Sequence, residues 1–271
     1  PSELLLRVGE ALLCAMVVSF LMCPLVKSFA YKIGAIDVPK DGRRVHDHPI
    51  PRMGGLAIFM GFVLSVLLFV DMSTQVMGLL LGTVIIAVMG ALDDIMNLNA
   101  WIKLAGQILA AGVAIRCGIV VDAISNFTPA GGTTFLNTNW LAIPVTVIWI
   151  VACTNAVNLI DGLDGLAVGV STISSLTMLV VSLFVAEPEV SLILAALTGA
   201  CVGFMPYNLN PAKIFMGDVG SQMLGFVLST ASIMGLFKFH AIITFLVPLL
   251  ALAVPLADTV FAFFRRILHG Q

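Results

Sequence analysis

Apolar residues along this chain gather into long runs separated by short polar segments. The runs lie near residues 4–26, 54–70, 76–92, 101–121, 140–157, 165–186, 189–207, 219–236 and 241–263. Each is close to the roughly 17 to 25 residues that cross a hydrocarbon core as an α-helix. The pattern predicts an all-α fold, a polytopic membrane helical bundle of about nine transmembrane helices. Period-two alternation is missing, and an open sheet facing lipid would leave backbone groups unpaired, so spanning strands are not expected.

Composition agrees. The 271 residues are 60% hydrophobic and 10% charged, and the mean hydropathy is +1.10, which excludes a soluble globular domain. No basic leader with a small-residue cleavage site precedes the first run, so that run reads as a span. Residues 1–271 read as a single integral membrane domain, and the start at Pro1 without Met suggests an incomplete chain. Cys14, Cys23, Cys117, Cys153 and Cys201 are scattered, with no CxxC or Cys/His cluster. They read as packing residues, not as disulfides or zinc ligands.

Nine alternating spans assign each loop to one of two faces. One face carries Lys27, Lys32, Lys40, Arg43, Arg44, Arg52, Lys103, Lys213, Arg265 and Arg266; the other has Arg7, Arg116 and Lys238. The positive-inside rule makes the first face cytoplasmic and puts the N-terminus outside. Asp93, Asp94, Asp161, Asp164 and Asp218 then all fall on the cytoplasmic face, although they did not enter the assignment. The external segment 122–139 has the Thr, Gly and Asn chemistry of a small hairpin.

Four cytoplasmic segments carry the chemistry. "IDVPKDGRRVHDHPIPRMGGL" (36–56) suits a positive-inside anchor or a phosphate-binding loop, with Arg forks and, at "PRMGG", the N–H groups of a helix start. "ALDDIMNLNAWIKLAGQ" (91–107) ends a span on two carboxylates, where the helix dipole disfavours them. A metal, a lysine or a proton-transfer role explains them better than idle solvation, and Lys103 and Gln107 share a helix face that points back to them. "NAVNLIDGLDGLAVG" (155–169) sets two asparagines and two aspartates among buried aliphatics. A helix cap by Asp164 would account for one of the four. "YNLNPAKIFMGDVGSQMLG" (207–225) places Asp218 either as a cap or in a shared site. The donors are oxygens, which points to a hard cation, Mg2+, with Mn2+ as the alternative. Carboxylates, a hard cation and basic loops at a membrane surface describe phosphate chemistry on a soluble nucleotide diphosphate and a bilayer-held acceptor.

These motifs, in this order and with "PLADTVFAFFRRILHG" behind them, resemble the polyprenyl-phosphate N-acetylhexosamine-1-phosphate transferase family over nearly the whole chain. The resemblance implies transfer of a phospho-sugar from a UDP-sugar to a polyprenyl phosphate, with release of UMP. "HPIPRMGG" is similar to the bacterial undecaprenyl-phosphate N-acetylglucosamine-1-phosphate transferases of teichoic-acid and O-antigen synthesis, which implies UDP-GlcNAc as donor; UDP-MurNAc-pentapeptide is second. Carried over by position, Asp218 is a magnesium ligand, and Asn158 is a second ligand or a diphosphate contact. Asp93 and Asp94 form the acidic pair, the second a general base or a positioner of metal or Lys103. Asp161 and Asp164 line the nucleotide-sugar pocket, Phe215 stacks on uracil, and Lys103 contacts phosphate. Arg265 and Arg266 contact the donor, with His46 and Arg52 as further substrate contacts. The family continues with a His-rich loop and at least one more span, so the chain is expected to be C-terminally incomplete, and His269 does not stand in for that motif.

The implied location is the bacterial inner (cytoplasmic) membrane, with the active site facing the cytoplasm. The partners are donor, acceptor and membrane lipid; nucleic acid is not among them, and a homodimer is left open. An ion-coupled transporter would also use intramembrane carboxylates and Gly-interrupted helices, but the acidic groups here cluster at one face and no internal repeat is visible. A non-catalytic lipid-binding scaffold is the third reading.

Overall fold

The computed structural model describes residues 2–38, 49–121, 123–127, 133–137 and 141–236. Among them are α1 (Ser2–Ile33), α2 (Gly55–Phe69), α3 (Thr74–Met96), α4 (Ala100–Arg116), α5 (Ala142–Ile160), α6 (Leu166–Phe184), α7 (Pro188–Asn208) and α8 (Gly217–Ala231), which continues into a π-helical turn over Ser232–Leu236. Each helix falls on one of the first eight apolar runs, and the ninth run lies outside the described residues. Five of them, α1, α3, α5, α6 and α7, are long and apolar enough to cross a membrane. The chain is a multi-pass membrane protein, mostly helical because a helix pairs its backbone groups internally.

Two details depart from the pattern. α1 continues past its apolar run to Ile33, because Ala30 on the added turns packs with Ala35 and Met53 in a small separate cluster. The same contact supports a short ladder absent from the sequence reading, β1 (Ile36–Asp37) antiparallel to β2 (Ile50–Pro51). The expected hairpin is present, with β3 (Ala123–Phe127) antiparallel to β4 (Thr133–Asn137).

α7 and α8 occupy the middle. α1, α2 and α6 pack on α7, while α2, α3 and α5 pack on α8. Small residues set how closely. A Cβ on Gly199 or Gly203, one turn apart on α7, would strike the carbonyls of Leu12 and Met16 on α1. Backbones in such contact gain dispersion energy without a hydrophobic drive, which lipid does not supply. α8 is held in the same way on three sides: Gly55 of α2 against Gly220, Gly90 of α3 against Val219, and Gly225 against Cys153 of α5. These contacts fix the depth of α8, and with it the position of Asp218 in its first turn.

Candidate active site

The α3–α4 corner places the first polar group. Asn97 ends α3 in the left-handed region (φ 51°), and Asn99 caps α4 by accepting from the Trp101 N–H at 3.1 Å. The turn brings Lys103 back over α3, where its Nζ donates to Asp93 Oδ2 at 2.7 Å. Asp93 Oδ1 accepts from the Leu98 N–H at 2.6 Å. Lys103 Nζ also lies 3.9 Å from Asp218 Oδ1, so one ammonium faces carboxylates from two helices.

Asp94 does something different. Its Oδ1 accepts from the Asp218 N–H at 3.0 Å and its Oδ2 from the Val219 N–H at 3.3 Å. α8 has no side-chain cap of its own, so a carboxylate from α3 supplies it, at the end of the helix where negative charge is favoured. Of the two readings of "GDVGS", a cap or a shared site, the cap falls to Asp94 and Asp218 lines the shared cavity. Gly217 carries φ 74° and sits against the Asp94 carboxylate, where a Cβ would collide.

The third segment completes the cluster. α5 ends at Ile160, and Asp161 and Asp164 turn into the gap between α5 and α8. Burial pushes the Asp161 carboxyl up to about 7, Asp94 and Asp218 add to this, and Arg52 opposes it. Asn158 donates to Asp218 Oδ1 and, at 2.8 Å, to Ser221 Oγ. A carboxylate only accepts, so the amide nitrogen of Asn158 must face it, and Asn158 holds Asp218 in place as it stands. Asp164 caps no helix: Gly165 precedes α6 with φ 74° and no side-chain bond. Its Oδ2 instead accepts from the Ala212 N–H at 2.9 Å and from Asn210 Nδ2 at 3.2 Å, tying the 161–165 turn to the 209–213 turn.

These groups line one polar cavity of about 640 Å³. Of the expected site residues, Arg52, Asp94, Lys103, Asn158, Asp161, Asp164, Phe215 and Asp218 all reach it. Asp93 is buried behind Lys103 and is not among the lining residues. His46, Arg265 and Arg266 lie outside the described residues. The suggestion that "PRMGG" offers free N–H groups to phosphate is overturned, because Gly54 N–H donates to Phe215 O at 2.9 Å and Gly55 N–H to Met216 O at 2.8 Å. Phe215 N–H returns a bond to Pro51 O at 2.9 Å, so these two segments are joined backbone to backbone.

Sequence reasoning missed several residues. Asp37 lines the cavity and pairs with Arg52 at 2.7 Å, and the β1–β2 ladder that joins them has no signal in a two-residue strand. Asn208 and Asn210 also line it; they stood in a quoted motif without a role. Ser221 and Gln222 lie a helical turn beyond Asp218 and contact Asn158 and Asp218.

Among the described residues no three His, Cys, Asp or Glu side chains form a ready-made cation cage. Mg2+ is ordinarily held by one or two carboxylates with substrate phosphates and water supplying the rest. Asp218, which lines the cavity with its carboxylate partly exposed beside Lys103, is the residue that would hold such a cation.

The chain is 40% identical over 270 residues to a probable undecaprenyl-phosphate N-acetylglucosaminyl 1-phosphate transferase of Bacillus subtilis, covering 99% of this chain and 74% of the relative. It is 34% identical to a decaprenyl-phosphate N-acetylglucosaminephosphotransferase of Mycolicibacterium smegmatis (96% and 70% covered). It is 33% identical to a phospho-N-acetylmuramoyl-pentapeptide-transferase of Staphylococcus aureus (82% and 74% covered). Residues 76–236, which hold most of α3, all of α4 through α8 and all three acidic segments, match the profile of glycosyl transferase family 4, and the chain belongs to that family.

Proposed function

We propose that the chain transfers N-acetylglucosamine-1-phosphate from UDP-GlcNAc to undecaprenyl phosphate, releasing UMP, as the first membrane step of a cell-envelope polymer. The observation that carries this reading is the meeting of Asp94, Asp161 and Asp218 with Lys103 and Arg52 around one cavity at the ends of the apolar helices. A soluble, anionic donor and a lipid-held acceptor both reach such a place. The relatives named for N-acetylglucosamine transfer match more of this chain, at higher identity, than the pentapeptide-transferring one.

In the reaction, a phosphate oxygen of the acceptor attacks the sugar-bearing phosphorus of the donor. The new P–O bond forms as the bond to the bridging oxygen breaks, and the electron pair leaves with UMP. A phosphate monoester has a second pKa near about 6, so the acceptor is mostly a dianion at neutral pH and needs no base to remove a proton. Lys103 and Arg52 oppose the phosphate charge, Asp161 and Asp164 with Phe215 hold the nucleotide-sugar, and Asp94 fixes the N-terminal turn of α8 that carries Asp218. Mg2+, or Mn2+ in its stead, would sit at Asp218 and neutralise charge on the diphosphate.

The finer topology belongs to the same proposal: nine spans with the N-terminus outside, in the bacterial inner membrane, with the cavity open to the cytoplasm. The ten-to-three bias of Lys and Arg between the faces supports it. The test offers the purified chain UDP-GlcNAc, UDP-GalNAc and UDP-MurNAc-pentapeptide with undecaprenyl phosphate. UMP release from UDP-GlcNAc that requires both Mg2+ and the lipid is expected. Reaction with the pentapeptide donor alone would move the assignment to peptidoglycan synthesis, and no turnover with any donor would return the transporter or scaffold reading.

A further inference from the structure

Behind the cavity three amide side chains form a chain of hydrogen bonds that ends on Asp218. Asn155 Nδ2 donates to the Val151 carbonyl at 2.8 Å and to Gln107 Oε1 at 2.6 Å. A carbonyl only accepts, so the bond to Val151 fixes which end of the Asn155 amide is nitrogen. The Gln107 oxygen is thereby turned to Asn155, and its Nε2 lies 3.1 Å from Gln222 Oε1 and 3.3 Å from Asn155 Oδ1. With its oxygen committed, Gln222 presents Nε2 to Asp218 Oδ1 at 3.3 Å. The far end of the chain is again a group that only accepts, so the direction is consistent at both ends.

Gln107 and Gln222 are each 2% exposed, among apolar and small residues of α4, α5 and α8. Buried amides are costly unless fully bonded, and apolar side chains of similar volume would fill the space without that cost. Here the bonds converge on one oxygen of one carboxylate, the same Oδ1 that accepts from Asn158. We infer that Gln107, Asn155 and Gln222 are positioning residues that fix the rotation of the Asp218 carboxylate, so that it meets a divalent cation on the donor's diphosphate in one orientation. This rests on the function proposed above.

The test uses Gln222→Met, which keeps the volume and removes the donor, Gln107→Met, which removes the link behind it, and the double variant. Mn2+ is titrated into purified full chain with UDP present, free Mn2+ is read by electron paramagnetic resonance, and UMP release and melting temperature are measured alongside. Each single variant is expected to weaken Mn2+ binding by about tenfold, the scale for an outer partner of a metal ligand. The double variant should be no weaker than the worse single one, because both act through one path. The KM for undecaprenyl phosphate should stay unchanged. Mn2+ binding within about twofold of wild type in the variants that fold, or penalties that multiply in the double variant, would overturn the inference whatever happens to melting temperature. A wild-type chain that binds Mn2+ without releasing UMP sinks the transferase reading, while the same affinities still decide this one. Absence of Mn2+ binding in the wild type overturns the inference directly.

Discussion

Asp94 and Asp218 meet with their roles divided: the Asp94 carboxylate accepts the backbone N–H of Asp218 at 3.0 Å, while the Asp218 carboxylate turns away to Asn158 and Gln222. Both oxygens of Asp94 are engaged by α8, one by Asp218 and one by Val219. A carboxylate used in this way serves as a cap that sets where Asp218 stands.

Replacing Asp94 therefore separates capping from base catalysis. Asp94→Asn keeps one accepting oxygen and is expected to lose about 100-fold in rate through misplacement of Asp218, by a factor that does not change with pH. Asp94→Ala should in addition lower stability by about 1–2 kcal/mol, the loss of a helix cap. Rates measured across pH decide the point. A defect rescued at alkaline pH would make Asp94 a base after all.

Lys103 and Asp93 form an ion pair at 2.7 Å, with the Asp93 side chain 4% exposed and that of Lys103 28% exposed. Lys103→Met leaves a buried carboxylate without its cation and should cost about 1–3 kcal/mol, below the full penalty for a buried pair because Lys103 is partly in water. Asp93→Asn with Lys103→Met should recover part of that stability but not the activity, since Lys103 also faces Asp218 and the cavity. A melting-temperature double-mutant cycle beside a UMP-release assay measures both. Additive stability losses would show that the pair is not coupled.

The helices were legible because a bilayer allows few structures, and runs of the spanning length announce themselves. The gathering of three acidic segments was legible as well, since alternation alone puts Asp94, Asp161 and Asp218 on one face. Contacts that rest on backbone geometry were not. Nothing in "PRMGG" distinguishes N–H groups offered to phosphate from N–H groups bonded to Phe215 and Met216. The partnership of Asp37 with Arg52 depends on a two-residue ladder, and Gln107, Asn155 and Gln222 come from three helices far apart in sequence. Asn155 thereby belongs to a network that reaches Asp218.

Arg52 makes a specificity test. Its guanidinium lines the cavity and is held by Asp37 at 2.7 Å. Arg52→Lys keeps the charge and loses the planar fork, so the KM for UDP-GlcNAc should rise by about tenfold while the KM for undecaprenyl phosphate stays level. Asp37→Asn should move the same constant by a smaller factor, because Arg52 remains but is less firmly placed. Equal increases in both KM values would mean that Arg52 does not favour the donor.

Asp161 makes the site sensitive to pH before any substrate arrives. Burial and the carboxylates of Asp94 and Asp218 raise its folded pKa from 3.8 to about 7, so the folded state holds a proton that the unfolded state has released. The sign follows from linkage: between these two values the native state binds more protons, and stability falls as pH rises. The melting temperature of purified protein in EDTA should therefore decline from about pH 4 to about pH 7 and level off above it. Asp161→Asn should lessen the decline, because the amide carries no charge at either end of the range. Mg2+ should reduce it in the wild type by offsetting the carboxylate charge. A wild-type profile that instead rises through this window would mean that Asp161 is ionised in the fold and held by a cation, and its place in the cavity would have to be read as part of an ion pair.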